Sequence, residues 1–132
     1  MKDRDSEFAM LWIVKAEHDL VTAERTLSMD DPPTDTPCFH AQQAVEKSFK
    51  AFLTFKHVEF KRTHDLLVLL DMVGKFTEQF VCFREMLADM NSYSVETRYP
   101  MDGIDPSMDE ASQAVQTARQ ITEMLKSILV EK

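Results

Sequence analysis

Glycine is nearly missing from this chain, with two in 132 residues. Gly74 and Gly103 lie too far apart to build a phosphate-cradling loop, and so few glycines leave little room for tight turns and favour long helices. Cysteine is equally scarce. Cys38 and Cys82 form no C-x-x-C pair and no disulfide framework, so both are expected to be buried, reduced thiols. No run of about 18 apolar residues occurs, and no charged-then-apolar leader ends in a small-residue cleavage site. The expectation is a cytoplasmic protein with no membrane association. Positive charge is in short supply too: 15 Lys and Arg stand against 23 Asp and Glu, a net charge of −8. A protein that grips duplex DNA through its phosphates presents a basic face, so duplex DNA, including a helix-turn-helix mode, is disfavoured. A basic partner protein is compatible with the balance.

The familiar catalytic and metal motifs are absent as well. A di-metal bundle centre needs Glu-x-x-His pairs on facing helices, and none is present. The four histidines and two cysteines match no zinc spacing. The acidic stretch S-M-D-D-P-P-T-D-T from Ser28 to Thr36 lacks the EF-hand spacing and glycine. Neither H-E-x-x-H nor G-x-S-x-G occurs. No catalytic residue, metal site or cofactor is therefore assigned.

What remains is helical periodicity along one domain, residues 1–132. From Ser6 to Leu27 the apolar positions Phe8, Ala9, Trp12, Ile13, Ala16, Leu20, Ala23 and Leu27 fall on one face of about 140°. Trp12 reads as a core anchor. The prolines and turn-formers of Ser28–Thr36 make a loop. Thr36 then suits an N-cap and Pro37 the first helical position of a second helix, running to about Lys56. In it Ala41, Ala44, Val45, Phe49, Ala51, Phe52, Leu53 and Phe55 span roughly 200°, wider than one neighbour can cover. This is the expected central helix. Its narrow polar seam is His40, Gln43, Lys47, Lys50 and Thr54, with Glu46 at the edge.

After an extended connector at Val58–Arg62, Thr63 caps a short helix that stops at Gly74, with Asp65 in its first turn. Phe76, Phe80, Phe83, Leu87 and Met90 step by 4, 3, 4 and 3, the spacing of a helix running on through Tyr93 to about Thr97, before Pro100. Ser107 and Glu110 form a capping box, and a last helix runs to about Val130. The fold class is all-α: an antiparallel bundle of four long helices plus one short one, with no strand.

Three polar groupings stand outside this core pattern. The first is the seam His40, Gln43, Lys47 and Lys50, which could equally be a solvated stripe with a Glu46–Lys50 pair worth about 0.2–0.5 kcal/mol. The second is Thr63-His64-Asp65, for which capping alone is the alternative. The third is Tyr93 with Arg98 and Tyr99, where the arginine could simply bind the last carbonyls of a helix.

Three blocks carry a wider resemblance: F-H-A-Q-Q-A-V-E-K-S-F-K-A-F-L, then T-H-D-L-L-V-L-L, then Y-S-V-E-T-R-Y-P. With the opening W-x-x-x-A-x-x-D-L around Trp12, Ala16, Asp19 and Leu20, the chain resembles the HEPN-domain family over nearly its whole length. That resemblance implies a helical bundle that dimerises and is often encoded beside a minimal nucleotidyltransferase. It also implies a role in nucleotide or RNA biology, commonly in toxin–antitoxin or defence systems. Many family members are ribonucleases with an R-x(4–6)-H motif. Here the motif is incomplete: positions 103 to 105 after Arg98 are Gly, Ile and Asp, and no histidine follows His64. The sequence thus favours a homodimer that binds a nucleotide, RNA or a nucleotidyltransferase partner through His40, Gln43, Lys47, Lys50, His64, Asp65, Tyr93, Arg98 and Tyr99. A divergent ribonuclease using Arg98 with His64 or His40, and a plain protein-interaction module, are the alternatives.

Overall fold

The computed structural model describes residues 3–93 and 105–131. In chain order the helices are α1 (Arg4–Leu27), α2 (Asp35–Phe55), α3 (Leu66–Val73), α4 (Arg84–Met90) and α5 (Met108–Glu131). Single 3-10 turns flank α4 at Val81–Phe83 and Asn91–Tyr93. No strand occurs among the described residues. The all-α bundle is as the periodicity predicts, but among the described residues three helices are long and two short.

Local chemistry sets the helix ends. Asp3 caps α1, which starts at Arg4, two residues before the expected Ser6, because the Asp3 carboxylate accepts from the Ser6 amide at 2.8 Å. The second helix also starts early, at Asp35, so Thr36 lies inside it rather than capping it. At its far end the Val58 amide donates to Leu53 and the His57 amide to Thr54, at 2.9 and 3.0 Å. This is a Schellman closure in which His57, with φ of 61°, takes the left-handed position usual for glycine. For α3 the cap is Asp65, not Thr63: its Oδ1 accepts from the Leu67 amide at 2.9 Å, and Thr63 Oγ1 accepts from the Asp65 amide at 3.1 Å. Ser107 and Glu110 do form the reciprocal capping box, at 2.9 and 3.0 Å.

The expected helix from Phe76 onward is interrupted. Chain reversal at 74–80 lets α4 return along α3, and within the reversal Phe76 packs edge-on against Phe52 and Phe80 against Phe49, centroids 6.0 and 5.8 Å apart. Phe80, Leu87 and Met90 are buried, whereas Phe76 at the reversal is exposed. Cys38 is buried as expected. Cys82 is not: it lies on the outer side of the first 3-10 turn, its thiol against the Gln79 carbonyl.

As expected, α2 is central. The apolar positions of its wide arc from Ala41 to Leu53 are all buried. It lies antiparallel to α1, which is also antiparallel to α5, as the cross-links show. His57 meets Asp5 at 2.7 Å, Lys126 meets Glu17 at 2.9 Å, and Arg119 holds both oxygens of Glu24 at 2.6 and 2.9 Å. Between α2 and α5 the buried hydroxyls of Ser48 and Thr122 satisfy each other at 2.8 Å.

Candidate functional site

Two carboxylates organise the polar side of α2. Asp19, on α1 and 8% exposed, accepts from Lys47 Nζ at 2.6 Å and pairs with His40 Nδ1 at 2.8 Å. Glu46, on α2 and 3% exposed, accepts from Lys50 Nζ at 2.9 Å and pairs with His64 Nδ1 at 2.9 Å. The same trio, carboxylate with lysine and histidine, thus occurs twice along one helix. Between them, Gln43 donates to Gln42 Oε1 at 2.7 Å, and the fully buried Gln42 donates to the His64 carbonyl at 3.1 Å. That last bond fixes the connector, and therefore the His64 ring, against α2.

The two trios differ in access to water. His40 and Lys47 keep about a quarter of their side chains exposed. Lys50 does not belong to an open seam as expected: it is 5% exposed, with its ammonium 5.7 Å from the centre of the Trp12 ring. The Glu46–Lys50 pair exists, but as a buried ion pair rather than a solvated one. Trp12 packs beside Ala9, Ile13 and Ala51 as the lid on Lys50.

The other expected site residues lie elsewhere. Asp65 is committed to capping α3, and Asn91 Nδ2 donates to it at 2.9 Å while Asn91 Oδ1 accepts from the Leu66 amide at 2.8 Å. Tyr93 is half-buried. Desolvation, with the Cys38 thiol and two carboxylates nearby, pushes its hydroxyl up to about 12. It lines a cavity of about 540 Å³ with Asp89, Asp105 and Glu110, a wall of charge that repels phosphate. Arg98 and Tyr99 lie outside the described residues.

Chemically, the carboxylate on Nδ1 of His40 fixes the ring's orientation and leaves Nε2 as the nitrogen able to give or take a proton. The charges of the two lysines and the two carboxylates cancel. This surface is therefore a positioned polar platform, not a patch of spare positive charge. Sequence reasoning underrated Asp19 and Glu46, its two hubs, and passed over Gln42.

The HEPN domain profile matches residues 9–128. The chain belongs to the HEPN-domain family. Among relatives of this HEPN domain, the Methanocaldococcus jannaschii protein named "Putative toxin MJ1304" is 24% identical, the alignment covering 96% of this chain and 91% of that one. The archaeal HEPN homologue ST0689 superposes with a TM-score of 0.72 at 24% identity, over 98% of this chain and 99% of its own. TT1696 from Thermus thermophilus gives a TM-score of 0.71 at 25% identity, over 90% and 96%. The 24% likeness to ST0689 speaks to the fold, the all-helical arrangement described above.

Proposed function

We propose that this HEPN domain is the helical member of a toxin–antitoxin-type system. It works by binding a nucleotide-bearing ligand, RNA above all, or a nucleotidyltransferase partner, and not as an R-x(4–6)-H ribonuclease. The observation that carries this reading is the doubled trio around Asp19 and Glu46. Burying charges is a costly way to join helices, and apolar residues of similar volume hold a bundle at least as well. Side chains placed at such a cost, and locked by neighbours, suit a site that must be preorganised. His40, Lys47 and His64 are its members with access to solvent. Arg98 adds, in this proposal, the forked cation suited to phosphate. The test is calorimetric titration of ATP, GTP and a short single-stranded RNA into wild type, Lys47→Ala and Arg98→Ala. Saturable binding weakened at least tenfold in both variants supports the reading; no binding by wild type ends it.

A second reading, a divergent ribonuclease, draws on the two carboxylate–histidine pairs, the arrangement that orients a general base. Its test is cleavage of total RNA by purified protein, lost separately in Arg98→Ala and His64→Ala; activity surviving both changes points to a contaminant.

Homodimerisation belongs to the same proposal. The wide apolar arc of α2 is consumed inside the chain, so it cannot supply the interface. The outward face of α1 can: Phe8, Leu11, Val14 and Val21 are all exposed there. An antiparallel pairing centred near residue 16 sets Leu11 against the partner's Val21 and Glu7 against the partner's Arg25, which makes the face self-complementary.

A further inference from the structure

The lysines of the seam are engaged by Asp19 and Glu46, so a phosphate needs cations from elsewhere. The connector supplies them. Between it and α3 lies a groove of about 480 Å³, within the usual range of small-molecule sites. Its floor is Phe60, Val68 and Met72; Lys61 and Arg62 stand on it with a single acid, Glu59. In a chain of net charge −8, this is a local excess of positive charge beside an apolar surface. Lys61 and Arg62 are both exposed, and no carboxylate engages either one among the described residues.

We infer that this groove is the seat of one nucleotide unit of single-stranded RNA. An apolar and aromatic floor suits the face of a base, and a guanidinium beside an ammonium suits the phosphate that follows it. Unstacked single strands are the RNA form that offers both groups together. Thr63, which also lines the groove, precedes His64, so a nucleotide held there adjoins the Glu46 trio. The inference rests on the proposed nucleotide-binding function and gives it a place: the groove holds the ligand, and the platform borders it.

The experiment is a fluorescence-anisotropy titration of a labelled eight-nucleotide single-stranded RNA, with ATP as competitor, at two salt concentrations (about 50 and 200 mM). Wild type is compared with Lys61→Glu/Arg62→Glu, with the floor variant Val68→Glu, and with Arg84→Glu/Lys126→Glu, which makes the same charge change on α4 and α5, outside the groove and the α1 face. The expected result is at least a tenfold loss for the groove double variant and for V68E, a change within about twofold for the α4/α5 control, a shallower salt slope in the groove double variant, and competition by ATP. Equal losses in the groove and control variants, or full binding by the groove double variant, overturn the inference while leaving nucleotide binding standing. No binding by wild type overturns both.

Discussion

Glu46 has two basic neighbours, Lys50 from its own helix and His64 from the connector, and almost no contact with water. Removing one partner of such a pair strands a buried charge, at about 3–5 kcal/mol. Because His64 remains, Lys50→Met is expected at the low end, about 3 kcal/mol, in urea denaturation. The double change Glu46→Gln/Lys50→Met is expected to recover most of the loss; equal or greater damage in the double variant would refute the pairing. The ion pair itself was legible in the sequence as an i,i+4 spacing. Its burial was not, because a helical wheel treats α2 alone and cannot show that Trp12 and the connector cover positions 46 and 50. Asp19 was hidden for the same reason: its partners lie 21 and 28 residues away on another helix.

At the scale of elements, α3 and α4 form a hairpin that Asn91 closes by bonding both the Asp65 carboxylate and the Leu66 amide. Asn91→Ala is expected to cost about 1 kcal/mol, the usual worth of a helix cap, and to raise amide exchange at the start of α3. Unchanged exchange there would show the staple to be idle. The α1–α2 junction carries a pH dependence. The Asp5 hydrogen bond raises His57 above its ordinary 6.5, so the contribution of this contact is full below that value and fades as pH climbs through the raised one. Asp3, held down by its bonds to Ser6, acts in the opposite sense: its contribution is present above 3.8 and fades as pH falls through its lowered value. Melting temperatures from about pH 6 to pH 9 are therefore expected to decline less in His57→Gln than in wild type. Parallel curves would show that His57 carries none of this pH dependence. Elements with strong periodicity and caps, α1, α2 and α5, were readable to within a few residues. The helix expected from Phe76 was not, because a 4-3-4-3 apolar spacing survives a chain reversal when both sides of it pack on the same neighbour, here Phe52 and Phe49.

For the whole molecule, the bundle conceals the apolar arc of α2 that suggested a partner, while Phe8, Leu11, Val14 and Val21 leave an exposed stripe on α1. A second copy covering that stripe predicts twice the chain mass in light scattering, and the monomer mass for Leu11→Glu/Val14→Glu with the helical signal retained. A monomeric wild type at high concentration removes the dimer. The family and the fold followed from motif blocks and periodicity. The proposed ligand surface was only half visible: the seam could be named, but its internal neutralisation, and the connector cations that no carboxylate engages among the described residues, appear only in three dimensions. This HEPN domain is proposed to bind RNA without cutting it. One native gel, run with a labelled short single-stranded RNA and followed by denaturing recovery of the bound band, tests it directly. Wild type is expected to give a saturable shift, Arg98→Ala little or none, and the shifted band full-length RNA; no shift, or cleaved RNA, would refute RNA binding without cleavage.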